Sequence, residues 1–432
     1  MPSDSERDSY SPLILSIIYH QTAGSPGVRF PAADMFQSLS IKQMSSNSWV
    51  GTLTVFDRDE TFLTGLQRPT STSYFEIQWG WDRPGAGLKT APLYIGHVMK
   101  IQPRYSFEGT GITYDLNAIA LAALDKSIQP RTFKPGMQAE DIVTQICKGH
   151  SWKPGIIEAT EKPLAEGFQI GNETALQFIQ NKIVPLAVTK DKTEHFSFWM
   201  EVDGTANFCS TSYYLKTSPD GLKLLDDLVY GEDESGIVES FDPADNGVMG
   251  ALWGYGDASH YAVDSKEGEL VYQTSTVESG VSQTPSQPGP GAPAACADEK
   301  DLANLRPVES LGQQGSATPA TTVVGYIART PDDANRLAVN LVSRIKALSC
   351  TAEMITHGTH SVAVNRFIRV RYFTHNEQSE HYMSGVFRVL TYEQVLDSGG
   401  WKTHYSLNRY GVRPDKAEPQ IETQPVTMLT PE

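Results

Sequence analysis

Cysteine is scarce in this sequence, and the four residues present, Cys147, Cys209, Cys296 and Cys350, lie far apart along the chain. None of them forms a CxxC pair or the Cys/His spacing of a zinc site. The pattern therefore argues against a structural zinc centre and against a disulfide framework. We expect four reduced thiols in a protein that folds inside a cell.

Long apolar runs and excess positive charge are also missing. No run approaches the ~20 apolar residues of a membrane helix, and the opening MPSDSERDSY is too polar for a signal peptide. Lys and Arg number 35 against 51 Asp and Glu, a net charge of −16. This balance argues against binding through phosphate neutralisation and against an anionic membrane surface. It is compatible with DNA that passes nearby without binding.

Catalytic signatures are absent as well: the chain has no GxSxG, HExxH, P-loop or GxGxxG motif. Three polar clusters remain, and we interpret each as a surface loop or turn. They are HGTH (357–360), HNEQSEH with His375, Glu377, Glu380 and His381, and the acidic group Asp57, Asp59 and Glu60. We therefore predict no catalytic, cofactor-binding or metal-binding residue and no cofactor.

Two further sets have a functional and a structural interpretation. The stretch 232–245 carries six acids, which fit a channel-facing or calcium-binding surface, but a solvated linker between domains is the interpretation we favour. Four aromatic residues fit a sugar-stacking platform, although core or interface packing is more common for such side chains. These are Trp79, Trp81, Trp253 and Tyr255.

The 432 residues suggest two to four domains. The first, 10–127, is rich in strand patterns: LILSIIY (13–19), SWVGTLTVFD (48–57) and YFEIQWGW (74–81). In the long strand from Ile95 to Phe107, alternation predicts that the odd-numbered residues face a core, with a bulge or a sheet edge at Pro103. NAIALAALDKS (117–127) predicts a short terminal helix.

The second segment, 128–233, mixes helix and strand. We predict a helix near 138–149, a helix over 172–184 capped by Asn172, and a hairpin over 195–214 that turns at Asp203-Gly204.

The third segment, 234–412, returns to strands, among them GIVESFDP, VMGALWGYG, ELVYQTST, SCTAEMITH and RFIRVRYFT. A Pro/Gly-rich loop at about 280–321 interrupts it. A helix is predicted over 330–348, and 413–432 is a polar tail.

One hairpin pattern occurs twice. GHVMKIQPRYSFEGTG (96–111) precedes ITYDL, and GVFRVLTYEQVLDSGG (385–400) precedes WKTHYSL, with glycines and an acidic residue at matching spacing. Such spacing arises by chance or by duplication. Under duplication the chain holds two copies of a β-barrel or sandwich-like module with a mixed α/β module between them. Three such chains in a ring would present six similar modules and remove exposed sheet edges.

The order of parts resembles the baseplate hub proteins of contractile-tailed bacteriophages, the late-control-protein-D group, which is related to the base of type VI secretion spikes. Three stretches carry the resemblance, which spans about 10–411: FKPGMQAEDIVTQICKGHSW (133–152), VESFDPADNGVMGALWGYG (238–256) and GVFRVLTYEQVLDSGGWKTHYSLNRYG (385–411). The loop at 280–321 departs from the family pattern.

The resemblance implies a mainly β, α+β fold in which two tube-protein-like β-barrel domains flank a smaller mixed α/β domain. It also implies a non-enzymatic homotrimer that adapts a sixfold tail tube to a threefold central spike and leaves a channel for DNA. The expected partners are the chain itself, the tail tube protein, the central spike protein, other baseplate proteins and the tape measure protein. No specific nucleic-acid binding and no membrane insertion are expected. The expected location is the virion baseplate, assembled in the bacterial cytoplasm. The alternative function is a tail-associated protein that binds or degrades the cell wall through 128–233.

Overall fold

The computed structural model describes most of the chain between residues 13 and 409. The described residues are 13–22, 24–29, 35–44, 49–58, 70, 72–81, 91–105, 112–120, 132–150, 152–164, 167–171, 173–190, 195–218, 224–230, 238–245, 257–266, 269–278, 336, 350–359, 364–372 and 385–409.

Strands dominate these residues, so the mainly β fold class is confirmed. The first strands are β1 (Leu13–His20), β2 (Val28–Arg29), β3 (Phe36–Met44), β4 (Trp49–Asp57), β5 (Tyr74–Trp81), β6 (Tyr94–Tyr105) and β7 (Ile112–Ala120). Next come β8 (Thr132–Phe133), α1 (Ala139–Gly149), β9 (Lys153–Ile157), β10 (Phe168–Gln169), α2 (Ala175–Phe178), β11 (Ser197–Met200), β12 (Thr205–Cys209) and α3 (Thr211–Thr217). The last are β13 (Leu224–Tyr230), β14 (Val238–Asp245), β15 (Asp257–Lys266), β16 (Glu269–Glu278), β17 (Cys350–His357), β18 (Phe367–Tyr372), β19 (Gly385–Asp397) and β20 (Gly400–Arg409). Within the described ranges, no helix is long and apolar enough to span a bilayer.

Thirteen of the described strands form one sheet, which combines both ends of the chain. Its main path runs β14-β17-β20-β19-β3-β4-β7-β6-β5-β1-β2, and β18 pairs with both β13 and β19. The long strand β19 is the connection: its first half pairs with β18, and its second half pairs with β3. The change of partner coincides with a bulge at Leu390. Bulges bend a strand and increase its twist, which lets one strand serve two sheets.

The strand order in the two halves of this sheet is the same. The order β3-β4-β7-β6-β5-β1 in the first half matches β14-β17-β20-β19-β18-β13 in the second. The corresponding strands also follow one another in the same order along the chain. Four of the five pairings agree in direction and register. The exception is the last, because β1 runs antiparallel to β5 whereas β13 runs parallel to β18.

The register agreement extends to irregularities. His97 pairs with Tyr74 as Arg388 pairs with Phe367. The β6–β7 hairpin has a bulge at Met99, and the β19–β20 hairpin has its bulge at the corresponding Leu390. Chance spacing does not explain a shared register with a shared bulge. The two hairpins are therefore equivalent elements of a duplicated strand pattern.

The glycine spacing aligns the two hairpins in the sequence, and the structure agrees with that alignment in only one strand of each hairpin. Ile112 does correspond to Trp401, at the start of the second strand. In the first strand, however, Gly96 corresponds to Phe387 rather than to Gly385. The reason is the connection, which is longer after Tyr105 than after the corresponding Leu396.

The alternation predicted for β6 is also partly wrong. Tyr94 and Gly96, both even-numbered, are buried, whereas Met99 is 55% exposed. The bulge at Met99 adds one residue and shifts the core-facing positions to odd numbers only beyond it. At Pro103 only the pairing with β7 is described, because the described pairing of β5 with β6 covers Tyr94 to His97, and the edge there stays a prediction.

Helix α1 confirms the helix predicted near 138–149. The helix predicted over 172–184 is divided into α2, one π-helical turn (Ile179–Ile183) and one 3-10 turn (Val184–Leu186). Its cap is Thr174, which forms a capping box with Gln177, rather than Asn172, which lies outside the described residues.

The hairpin at 195–214 is correct as far as β12, with Gly204 in the left-handed region at φ 80°. The rest of that stretch was wrong, because Ser210 caps helix α3 there.

The remaining predictions concern residues whose structure differs from the prediction or residues that are not fully described. Residues 117–120 belong to strand β7 and not to a helix, because β4 and β6 pair with this strand on both sides. Of the helix predicted over 330–348, Arg336 is described; it is helical and buried, and it donates a hydrogen bond to the Pro163 carbonyl at 3.2 Å. Strand β13 was not predicted. The loop at 280–321, the tail at 413–432, the strand VMGALWGYG and the residues 375–381 lie outside the described residues.

The described residues form three hydrophobic cores between these elements. The first, core M, takes all of its described members from residues between Phe133 and Phe208. The second, core A, lies within β1 and β3–β7 and is completed by Leu396 and Trp401 from the far end of the chain. The third, core B, lies within β14 and β17–β20 and includes Trp199, Cys209 and Tyr214. Each core that includes part of the large sheet therefore depends on distant segments.

Candidate functional site

The place where the two halves of the sheet meet is the first candidate site. We call it the sheet joint: residues 391–396 of β19 pair antiparallel with residues 39–44 of β3. On its polar face Ser40 Oγ donates to Glu393 at 2.5 Å, and Lys42 Nζ lies 4.0 Å from the same carboxylate. Backbone pairing and a charged pair together connect segments that are 353 residues apart.

The inner face of the sheet joint is closed by two tyrosines. The hydroxyl oxygens of Tyr94 and Tyr392 lie 3.0 Å apart. Burial raises the pKa of Tyr94 to about 12 and the pKa of Tyr392 well above its usual range. Both hydroxyls therefore stay protonated at physiological pH and hydrogen-bond as neutral groups. Tyr94 belongs to β6, several strands away from β19, so this contact requires the sheet to curl around core A.

Trp401 continues this closure at the end of the last hairpin. Its ring contacts Trp79 and Trp81 at centroid distances of 6.3 and 5.2 Å. Its indole N–H donates to the Gln394 side chain. Gly358 lies directly against the ring, and a Cβ there would be 2.0 Å from Trp401 Cδ2. Only glycine leaves room for the indole at this position.

A second candidate site is the WMEV segment, residues 199–202, which covers the end of β11 and the first residues of the turn that leads to β12. Trp199 belongs to core B, Met200 to core M, and Val202 packs against core A. Gln43 of β3 donates to the Met200 carbonyl at 2.9 Å. Four successive residues therefore contact all three cores and fix the middle segment to both halves of the sheet.

Glu201 is the charged member of the WMEV segment. Its Oε1 accepts from Trp199 Nε1 at 3.1 Å and from Asn207 Nδ2 at 3.3 Å, and Arg366 Nη2 lies 3.5 Å away. The Arg366 guanidinium also sits 5.1 Å from the centroid of the Tyr214 ring. Burial raises the pKa of Glu201, and the positive charge of Arg366 opposes that shift. The arrangement is suited to holding elements together and offers no reacting group.

Of the residues considered as catalytic, metal or sugar sites, the structure describes Asp57, His357, Trp79 and Trp81. Trp79 is fully buried and stacks on Tyr94, which excludes a sugar platform at this residue. Asp57 is not in a turn but ends strand β4 and is buried. Among the described residues, no group of three or more His, Cys, Asp or Glu is arranged to hold a metal ion. Asp59, Glu60, Trp253 and Tyr255 lie outside those residues.

The acidic stretch 232–245 is not a linker throughout. From Val238 onward it forms strand β14, which pairs along β17. Glu239 binds Lys402 at 2.6 Å and faces His357 at 3.7 Å, so His357 of the HGTH cluster is part of a cross-strand polar cluster. Residues 232–234 are outside the described part of the chain.

Sequence reasoning missed Gln43, Glu201 and Arg366. A usable signal existed for Glu201, since it is a single acid between apolar residues in FWMEV. Cys147 and Cys209 are buried free thiols, as expected.

Comparison with solved structures gives the fold a precedent. The prophage MuSo2 43 kDa tail protein from Shewanella oneidensis has a TM-score of 0.55 at 12% identity, covering 93% of this chain and 99% of that protein. The tail protein from Neisseria meningitidis MC58 has a TM-score of 0.53 at 12% identity, covering 94% and 99%. No protein-family model and no curated protein sequence matches the chain. The chain thus has the fold of these tail proteins, and the resemblance seen in the sequence is confirmed at the level of fold.

Proposed function

We propose that this protein is a structural component of a phage tail, a baseplate hub that assembles as a homotrimeric ring. The observation that carries the proposal is the duplicated strand pattern, with one register and one bulge position in both halves. Three chains would present six equivalent hairpins around a ring. Such a ring adapts a sixfold tail tube to a threefold spike.

Three features support this role. The fold is that of two tail proteins along nearly their full length. The candidate sites hold polypeptide segments together and contain no catalytic arrangement within the described residues. The net charge of −16 suits a channel through which DNA slides without binding, because like charges repel. We also propose the division into 10–127, 128–233 and 234–412 as the domains of this hub.

The partners follow from the position of such a ring. They are the tail tube protein, the central spike protein, other baseplate proteins and the tape measure protein. The location is the virion baseplate, with assembly in the host cytoplasm. Catalysis, cofactors and metal ions have no role in this proposal.

Light scattering coupled to size-exclusion chromatography tests the assembly state, and electron microscopy of the same peak tests for a ring. We expect a three-chain mass and ring-shaped particles. A peptidoglycan zymogram tests the alternative, a cell-wall enzyme in 128–233. A single-chain mass together with a cleared zymogram would overturn the hub and favour that enzyme.

A further inference from the structure

The register of the sheet joint is not fixed by a turn. In a hairpin the connecting turn determines which residues face each other, but β3 and β19 come from opposite ends of the chain, and 353 residues separate Ser40 from Glu393. A slip by one residue is excluded, because it would turn the buried face of a strand toward solvent. A slip by two residues keeps the alternation of buried and exposed side chains. Another feature must therefore select the observed register.

The outer face of the sheet joint distinguishes weakly between registers that differ by two residues. After a slip in one direction, Glu393 would face Ser40 and Thr391 would face Lys42, so polar residues would still oppose polar residues. The ion pair of Lys42 with Glu393 joins atoms 4.0 Å apart on side chains that are 46% and 32% exposed. Ion pairs with this exposure contribute little to stability. The selection of the register therefore depends on the inner face.

The inner face carries buried hydrogen bonds that depend on the register. Tyr392 lies directly opposite Gln43, and these side chains are 2% and 1% exposed. The hydroxyl oxygens of Tyr392 and Tyr94 lie 3.0 Å apart, and Tyr94 belongs to β6, which is connected with β3 through β7 and β4. A slip by two residues moves a strand by about 7 Å along its neighbour. Such a movement of β19 along β3 would separate the two hydroxyls.

A slipped register offers Tyr94 no equivalent partner. Depending on the direction, Leu390 or Gln394 would take the place of Tyr392 opposite Gln43. Leu390 is apolar, and the Gln394 side chain already has hydrogen-bond partners on β20 and directly after β17. The slipped sheet would bury the Tyr94 hydroxyl without the partner that it has in the observed register, which costs free energy.

Gln43 adds a second restraint through the WMEV segment. Its side chain donates to the Met200 carbonyl at 2.9 Å. The preceding residue, Trp199, lies in core B together with Tyr392. The bond from Gln43 therefore connects β3 with a segment that packs against the other half of the sheet. Movement of β19 along β3 would break this bond or pull Trp199 out of core B.

We propose that the tyrosine pair, Tyr94 with Tyr392, together with Gln43 determines the register of the sheet joint. Buried polar groups can select one register even where they contribute little to stability. The competing explanation is the packing of Trp401 against the tryptophans of β5, which also crosses the joint. Because a slip would displace the two duplicated hairpins relative to each other, the same three residues fix the spacing of the hairpins within one chain. This conclusion holds for any number of chains in the assembly.

Disulfide trapping within the full-length chain measures the register. Val395→Cys is combined with Ser40→Cys for the observed register, and with Ser38→Cys or Lys42→Cys for the two slips. Facing residues have Cα atoms about 4.5–5.5 Å apart, which a disulfide can bridge, whereas diagonal neighbours are about 7–8 Å apart. Mild oxidation, digestion and mass spectrometry quantify each linked peptide. In the wild-type background we expect the pair with Ser40→Cys to form and the other two pairs to stay reduced.

The decisive background is Tyr94→Phe/Tyr392→Phe, which removes both hydroxyls and keeps both rings. The ratio of slipped to observed cross-links should rise about tenfold in this background, and Gln43→Leu should raise it further. The matched control is Tyr19→Phe, which removes another buried hydroxyl, one that donates to Ser73 at 3.2 Å on the far side of core A. This control should leave the ratio unchanged.

The outcomes separate the proposal from its competitor. An unchanged ratio in the double variant would overturn the proposal and assign the register to the packing of Trp401. An equal rise in the Tyr19→Phe control would also overturn it, because any lost buried hydrogen bond would then loosen the sheet. Tyr392→Phe alone removes a single oxygen atom and decides the question in the same way if the double variant does not fold. The cross-links form within one chain, so the result does not depend on whether the protein is a trimer.

Discussion

At the scale of single residues, Gly358 shows how closely the end of β17 packs against Trp401 of the neighbouring strand β20. Its backbone N–H donates to the Trp401 carbonyl at 2.8 Å, and the indole fills the space where a side chain would be. A Gly358→Ala substitution should destabilise the protein by about 1–3 kcal/mol, because overpacking displaces a ring that has no room to move. Urea unfolding followed by tryptophan fluorescence measures the effect.

The matched control for Gly358 is Gly171, where an added Cβ would meet nothing within 4 Å. Gly171→Ala should change the free energy of unfolding by less than about 0.5 kcal/mol. Equal effects at the two glycines would contradict the close contact with Trp401.

Glu201 makes stability depend on pH. Its pKa is raised in the folded protein, so the folded state binds the proton more tightly than the unfolded chain does. The stability that this carboxyl contributes is present at low pH and is lost as the pH rises through its folded pKa. We expect Glu201→Gln to remove this term, so that wild type becomes less stable relative to the variant as the pH rises.

Urea unfolding of both proteins across a pH series measures that difference. Glu353→Gln serves as the control, because Glu353 is exposed and accepts a hydrogen bond from Ser406. This variant measures the effect of the same substitution at an exposed position. A flat difference for Glu201→Gln would show that the Arg366 contact compensates fully for burial.

At the scale of elements, two helix caps allow local stabilisation of a helix end to be compared with stabilisation by a tertiary contact. Ser210 caps α3 by accepting from the Tyr213 N–H at 3.3 Å, and it also donates to the buried Glu158 carboxylate at 2.7 Å. Thr174 caps α2 in an exposed capping box. Ser210→Ala should therefore cost roughly 2–4 kcal/mol, the sum of a lost cap and a lost bond to a charge. Thr174→Ala should cost about 1 kcal/mol, and thermal or urea unfolding compares the two.

The elements also show what sequence alone could establish. Local patterns were sufficient for α1 and for the β11–β12 turn, because acidic first-turn residues and Asp203-Gly204 act within a few residues. The bulge at Met99 and the strand conformation of 117–120 depend on the register of β7 against two partners. No local pattern contains that information. Gln43 and Arg366 were missed for the same reason, since their partners lie in the WMEV segment, far away in sequence.

At the scale of the whole molecule, the cores differ in how much of the chain they require. Among the described residues, core M uses only those between Phe133 and Phe208. Core A needs Leu396 and Trp401, which come from the opposite end of the chain. A segment that contains its whole core can fold alone, whereas one that lacks part of its core exposes the remaining apolar surface. We therefore propose that the middle segment folds as an autonomous domain and that the first segment does not.

Two fragments of the chain test this difference. Residues 132–218 should fold alone, with cooperative thermal unfolding and a near-ultraviolet circular dichroism signal from packed aromatic rings. Residues 13–120 should lack cooperative unfolding, because Tyr94 loses the Tyr392 hydroxyl and Trp79 loses the Trp401 ring. Adding 385–409 as a separate peptide should restore the signal, since β19 supplies the strand that pairs with β3. Cooperative folding of 13–120 without the peptide would show that the first half closes its core without the sheet joint.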